Sequence, residues 1–276
     1  VALDGTPLGW LSLGEGPGLV IVHGSMQSAR SQVELARLLA ANHEVHLVDR
    51  RGRGLSGPYP AAGPYLPVEV GDLTTILRAT GAGHVLGISS GALIALRAAL
   101  STSDISRVAA FEPPLAVDGS IRLDLIGRFN RELAAGDLSG AMVTAMLAAE
   151  MGPPIMSRVP RSLLRLMTRR TLRPKPDRSP DEPAVRDLVA ALAVDFSLVT
   201  ENADRGADFA AITQPTLLID GTRTRPYLRR AVATLADVIP GSRRVSLDGT
   251  NHGVTQNKDA WGKPDRIVPA LEEFFG

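Results

Sequence analysis

Residues 84–100 read His84-Val85-Leu86-Gly87-Ile88-Ser89-Ser90-Gly91-Ala92-Leu93-Ile94-Ala95-Leu96-Arg97-Ala98-Ala99-Leu100. A short apolar run, His84–Ile88, passes without a spacer into an Ala/Leu-rich helical stretch that starts at Ser90. At the join stands Gly87-Ile88-Ser89-Ser90-Gly91. A serine on so sharp a turn needs small neighbours, because its backbone is strained and the chain doubles back on itself. Glycine two places before and two places after removes the side chains that would clash. The helix that follows points its N-terminal amides, with their partial positive charge, at the atom where an oxyanion would develop. The spacing marks Ser89 as a candidate nucleophile. The plain alternative is an N-capping serine in a glycine-rich turn.

Outward from this turn, short apolar runs alternate with longer helical patterns. Gly18–Val22, Glu44–Val48, Ile105–Phe111, Thr216–Ile219 and Arg244–Leu247 read as strands, and Leu8–Leu13 as an edge strand. Ala29–Ala41, Val68–Thr80, Pro226–Val238 and Pro264–Phe275 read as helices, the last two with Pro near the first turn. This alternation predicts a mostly parallel central sheet with helices on both faces. Runs that are apolar throughout suit strands covered on both sides. From about Pro113 to Arg205 the strands stop. Helical stretches follow near Ser120–Ala135, Leu138–Glu150, Ile155–Leu172 and Ala184–Val194, punctuated by prolines that are densest between Pro174 and Pro183. The expected organisation is a core from 1–112 and 206–276, interrupted by a helical insertion over 113–205.

Composition narrows the chemistry. The chain has 276 residues, 44% of them hydrophobic, which allows a sizeable core and excludes global disorder. Basic and acidic residues number 30 and 29, for a net charge of +1, so no overall field favours nucleic acid or an anionic membrane. Aromatics at 4% argue against a stacking surface for sugars or single strands. The absence of cysteine excludes disulfides, zinc–thiolate and iron–sulfur centres, and thiol nucleophiles. No apolar run reaches the about 18 residues that cross a bilayer as a helix. Val1–Leu8 lacks the basic and apolar parts of a secretory signal, although a chain starting at Val is compatible with a signal removed before that point. We expect a cytoplasmic protein without metal or organic cofactor. Of the 30 basic residues only Lys175, Lys258 and Lys263 are lysine, a bias that points to a GC-rich bacterial coding sequence rather than to chemistry.

A serine needs a base to become a nucleophile. Of the five histidines, His43, His46 and His84 lie at strand entries or within strands and read as structural. His252 follows the last predicted strand, in Leu247-Asp248-Gly249-Thr250-Asn251-His252-Gly253. Loops beyond the carboxyl ends of parallel strands are where ligand chemistry collects, which places His252 on the same edge as Ser89. His23-Gly24-Ser25 closes an early strand on that edge. The amides of Ser25 and Ser90 can together form an oxyanion hole, while the His23 ring reads as a group bonded within its own loop.

His23-Gly24-Ser25, Asp49-Arg50-Arg51-Gly52-Arg53-Gly54-Leu55-Ser56, Gly87–Gly91 and Asn251-His252-Gly253, in this order and spacing, resemble the α/β-hydrolases over nearly the whole chain. The resemblance implies an α/β-hydrolase fold, with the insertion as a helical cap placed after the sixth strand and shaping the substrate pocket. It makes Asp49–Ser56 a structural loop beside the site; its three arginines alone are a weak phosphate-binding signal. It also implies a carboxylate that orients His252. In most members that acid lies a few residues after the strand matching Thr216–Ile219. Here the loop reads Asp220-Gly221-Thr222-Arg223-Thr224-Arg225-Pro226, with Thr224 where the aspartate usually stands. Some members carry the acid at the end of the sixth strand, and Glu112, directly after Ala109-Ala110-Phe111 and before Pro113-Pro114, occupies that point. Glu112 is the leading candidate and Asp220 the second. Asp248, or a Ser–His pair with no acid, are the remaining alternatives.

Serine at the turn argues against the dehalogenases and epoxide hydrolases of this fold, which use aspartate there. The expected activity is hydrolysis of an ester, lactone or thioester of a small to medium apolar substrate through an acyl-Ser89 intermediate. Two other readings stay open: a non-catalytic ligand-binding homologue, favoured by Thr224, and a carbon–carbon hydrolase or lyase in biosynthesis. The insertion holds Met142, Met146, Met151, Met156 and Met167, which suit a greasy substrate or ordinary helix packing. Arg158, Arg161, Arg165 and Arg169 share a helical face in an arginine-rich stretch that also holds Lys175 and Asp177. That stripe is either a solvated surface or a docking face for an acidic partner such as an acyl carrier protein.

Overall fold

The computed structural model describes residues 1–151, 156, 158–173 and 182–276. Its centre is a seven-stranded sheet: β1 (Gly9–Leu13), β2 (Gly18–Val22), β3 (Glu44–Asp49), β4 (His84–Ile88), β5 (Arg107–Phe111), β6 (Thr216–Gly221) and β7 (Arg243–Leu247), in spatial order β1-β3-β2-β4-β5-β6-β7. Only β1 runs antiparallel, against β3 at one edge. The interior strands are apolar on both faces because both are covered. Val20 and Val22 belong to the core layer that α2 (Leu66–Thr80), α3 (Ser90–Ala99) and α8 (Pro226–Val238) cover, with Leu73, Leu93 and Leu235. Leu19 and Ile21 face the other way, toward α1 (Val33–Leu39) and α9 (Val268–Phe275), with Leu35 and Leu271. Every residue of α3 is buried, so the helix that starts at the Ser89 turn is enclosed on all sides.

Between β5 and β6 come α4 (Asp124–Ala134), α5 (Leu138–Ala148), α6 (Arg161–Thr171) and α7 (Val185–Glu201). Phe129, Ala141, Ala145, Val189 and Leu192 form a small core of their own. The helix α7 joins this core to the sheet, since its Val194, Leu198 and Val199 belong to the larger cluster over β4 and β5. The arginine stripe splits. Arg161 pairs with Glu132 at 2.6 Å and Arg165 with Asp137 at 2.6 Å, tying α6 to its neighbours, while Arg158 and Arg169 are exposed. Lys175 and Asp177 lie outside the described residues, as does the proposed helix start at Ile155.

The sequence reading differs from the structure in several places. The helical segment leaves the sheet after its fifth strand, not a sixth. Ala29–Gln32 is a 3₁₀ turn ahead of α1. The helix α6 begins behind Pro160, because a proline disfavours helical geometry in the residue before it. The helix α7 continues seven residues beyond Val194. Asp195, the first residue beyond the expected end, is 2% exposed inside the helix. Among the described residues no helix is long and apolar enough to cross a membrane.

The glycines of the turn are required by close approach. A Cβ on Gly91 would stand 2.3 Å from the Val22 carbonyl oxygen, and one on Gly87 2.5 Å from the Ala92 Cα. Gly91→Ala should therefore lower unfolding free energy by about 1–3 kcal/mol through overpacking against backbone that cannot yield. Urea unfolding measures this, and an unchanged midpoint would contradict it.

Candidate active site

Three adjacent parallel strands set the site. Ile88 of β4 pairs with Phe111 of β5, and Phe111 with Ile219 of β6. Ser89 and Glu112 stand just beyond the ends of β4 and β5 and share one rim, while β6 runs on to Gly221. Ser89 has φ 54° and ψ −122°, a conformation uncommon for a residue with a side chain. It is held by its own N–H, which donates to the Phe111 carbonyl at 2.8 Å. The next loop comes very close: a Cβ on Gly24 would lie 2.8 Å from the Ser89 Cβ. The Ser25 and Ser90 hydroxyls are 3.3 Å apart. The Ser25 N–H has no acceptor among the described residues, and Ser90, as the first residue of α3, has an N–H that the helix leaves free.

Glu112 also has a left-handed backbone, φ 48°, and its N–H donates to the Ile219 carbonyl at 3.0 Å. Its carboxylate is fully buried and takes three hydrogen bonds. Oε2 meets His252 Nδ1 at 2.5 Å, and Oε1 accepts from the Gly221 N–H at 2.7 Å and the Thr224 hydroxyl at 2.5 Å. A carboxylate can only accept, so Nδ1 carries the proton and Nε2 is left as a base. The His252 ring stacks on Phe111 at 5.9 Å, with its side chain 42% exposed. One face of the ring is thus anchored and the other edge is open. Among the described residues no hydrogen bond joins the Ser89 hydroxyl to His252. They stand on the same rim: Ser89 follows β4, and the ring stacks on Phe111, the residue of β5 that pairs with Ile88.

The other acid candidates are turned elsewhere. Asp220 is not in a loop; β6 extends through it, and its carboxylate is spent on β7. It accepts from Arg244 at 2.5 and 3.1 Å and from the Ser246 hydroxyl at 2.5 Å. The structure does not bring it to His252. Asp248 is exposed and accepts from the Thr222 hydroxyl at 3.2 Å. Thr224, where an acid was expected, instead donates to Glu112. A second carboxylate there would place two like charges side by side. His23 bonds within its loop, Nδ1 to the Gly24 carbonyl at 2.8 Å, and Nε2 accepts from the Arg50 N–H at 3.3 Å. Burial, with Arg53 and Arg50 nearby, holds this ring well below the usual histidine range, so it stays neutral. His46 accepts or donates to the Ser12 hydroxyl at 2.9 Å, and His84 stacks on Phe275.

Behind Ser90 lies a buried charge cluster that the sequence reading missed. Asp195 of α7 accepts from Arg50 at 2.7 Å, Arg53 at 2.6 Å and the Ser90 hydroxyl at 2.8 Å. Arg50 also binds Glu69, which accepts from the Tyr59 hydroxyl at 2.5 Å. One signal was available. Asp195 falls in the apolar stripe of α7, three residues after Leu192 and three before Leu198, a position that demands a buried partner. A cleft of about 410 Å³ between Leu66, Val70, Arg97, Leu100 and Arg205 is lined by none of these residues.

Burial alone would raise the Asp195 pKa, but Arg53 and Arg50 outweigh it and hold the group at about 2. A depressed carboxylate stabilises the fold fully above its unfolded value and loses that contribution as pH falls through its folded value. Wild type should therefore lose an advantage on the order of 2 kcal/mol over Asp195→Asn between pH 4 and pH 2. Urea unfolding of both proteins across that range reads the difference, and parallel curves would refute it.

Residues 19–269 match the model of the alpha/beta hydrolase family. The pimeloyl-[acyl-carrier protein] methyl ester esterase of Xanthomonas campestris is 27% identical over 270 residues, which span 95% of this chain and 96% of that protein. An alpha/beta hydrolase from Sphaerobacter thermophilus superposes with a TM-score of 0.79 at 34% identity, over 100% of this chain and 98% of that one. The enol-lactonase of Burkholderia xenovorans shares the fold, with a TM-score of 0.68 at 22% identity over 99% of both chains. With the sheet order, the serine turn and the family match over most of its length in agreement, the chain belongs to the alpha/beta hydrolase family.

Proposed function

We propose that this chain is a serine hydrolase that cleaves an ester, lactone or thioester of a small to medium apolar acyl compound. The observation that carries this reading is the Glu112–His252 pair, stacked on Phe111 beside the strained Ser89 turn. The Ser89 hydroxyl attacks the carbonyl carbon while His252 Nε2 takes its proton. Glu112 stabilises the imidazolium, and Gly221 and Thr224 hold its other oxygen in place. The carbonyl oxygen becomes an anion and is met by the Ser25 and Ser90 amides; one such donor is worth about 3–4 kcal/mol in the transition state. As the tetrahedral centre collapses, the imidazolium gives its proton to the departing oxygen or sulfur and the acyl group stays on Ser89. Water then attacks the acyl carbon, Nε2 takes its proton, and the second collapse returns that proton to Ser89 and releases the acid. The helical segment over 113–205 is read as the cap of this site. The case for a non-catalytic protein rested on Thr224, and a threonine that supports Glu112 removes that argument.

A carrier-bound acyl ester is a second reading, favoured by one surface. Leu163, Leu166 and Met167 of α6 are exposed at 47%, 58% and 60%, and Arg158, Arg169, Arg170 and Arg173 are exposed around them. An acidic carrier domain complements such a face in charge and in apolar area. The esterase relative from Xanthomonas is named for an acyl-carrier ester.

Phenylmethanesulfonyl fluoride should add mass to Ser89, and short p-nitrophenyl esters should be turned over. Glu112→Gln should lower kcat at least about 100-fold, while folded Asp220→Asn keeps it within about threefold. The reverse order, or neither label nor turnover, would sink the assignment. Reversing charge at Arg169 and Arg170 should raise KM for a carrier-bound ester alone; equal KM values would remove the carrier reading.

A further inference from the structure

The Ser90 side chain is fully buried, and its hydroxyl has no bonding capacity left. It donates to Asp195 Oδ1 at 2.8 Å and accepts from Arg50 Nη1 at 3.1 Å. With its one proton spent on Asp195, the contact at 3.3 Å to Ser25 has the Ser25 hydroxyl as donor. The hydroxyl therefore has one orientation only. Ser25 and Ser90 come from two separate loops, after β2 and after β4, and they are the two residues whose amides serve the oxyanion. Their side chains are thus joined to each other and to one carboxylate on α7, 105 positions further along the chain.

We infer that Asp195 is a positioning residue: through the Ser90 hydroxyl it fixes the two amides of the oxyanion site, so that the site is complete only when α7 is docked. The inference rests on the reading of Ser89 as an acyl-forming nucleophile. The surroundings make Asp195 the keystone of this arrangement. Its Oδ1 serves Ser90 and Arg50, and its Oδ2 serves Arg53. Arg50 has a second anchor in Glu69. Arg53 has none, since its Nε and Nη1 are buried without an acceptor. Two guanidiniums face two carboxylates, so the cluster is neutral and its members bond strongly in a dry interior. Removing the Asp195 charge leaves Arg53 unpaired and frees the Ser90 hydroxyl to turn. A misplacement of roughly 1 Å at an active site can cost on the order of 100-fold in rate. The expected damage is to the chemical step, because the amides act on charge that exists only in the transition state.

The test uses the full chain with p-nitrophenyl butyrate. Asp195→Asn and Ser90→Ala should each lower kcat about 10- to 100-fold and leave KM within about threefold. Modification of Ser89 by phenylmethanesulfonyl fluoride should slow in parallel. The double variant should be no worse than Asp195→Asn alone, within about threefold, because both changes break one linkage. Ser90→Ala keeps every arginine–carboxylate contact, so it should fold with a near wild-type Tm and report on geometry rather than stability. A purely structural role for Asp195 gives a lower Tm with kcat of the folded fraction unchanged, and losses that multiply in the double variant; either result overturns the inference. Wild-type kcat in Ser90→Ala overturns it as well, and leaves the hydrolase reading intact. A wild-type protein that neither turns over ester nor takes the label overturns both.

Discussion

The register of three parallel strands is the constraint from which the rest follows. With Ile88, Phe111 and Ile219 side by side, each residue past a strand end donates its N–H to the carbonyl level with it on the next strand: Ser89 to Phe111, and Glu112 to Ile219. Both donors sit in left-handed backbone, and both are held there by that bond. Strands in a sheet lie about 4.8 Å apart, so functional groups one strand over can meet without long side chains. A shift of one residue between β4 and β5 would turn Ser89 and Glu112 to opposite faces.

Two buried carboxylates on neighbouring strands meet different fates, and the difference lies in the donors around them. Asp220 is neutralised sideways by Arg244 and Ser246 of β7, which fixes the strand pairing. Glu112 receives no arginine. Its donors are an amide, a threonine hydroxyl and an imidazole, so its charge stays available to the ring. This explains how a chain with threonine at position 224 can still orient a histidine. The carboxylate that holds the ring stands one strand earlier, and the threonine donates a hydrogen bond to it.

Much of this was legible in the sequence, for identifiable reasons. Strands β2 and β4 have the bounds read from their apolar runs, because strands covered on both faces carry no competing polar pattern. The Ser89 turn was legible because glycine is the only residue that fits at 87 and 91. Elements whose bounds depend on distant partners were not. The helix α7 was cut short at Asp195, whose acceptability in an apolar stripe depends on Arg50 and Arg53, more than 140 positions away in the chain. Asp220 reads as loop in the sequence because nothing local reveals that Arg244 and Ser246 partner it within β6. The resemblance makes Asp49–Ser56 a structural loop beside the site, but nothing local shows that Arg50, Arg51 and Arg53 are all buried.

The small core of α4, α5 and α7 shares no residue with either cluster around the sheet. Two ties nevertheless bind this outer layer to the inner one. Met26, one residue past Ser25, packs against the small core. Asp195 of α7 reaches inward to Ser90 and Arg50, so divergence of the outer layer is bounded by a carboxylate that the inner layer bonds.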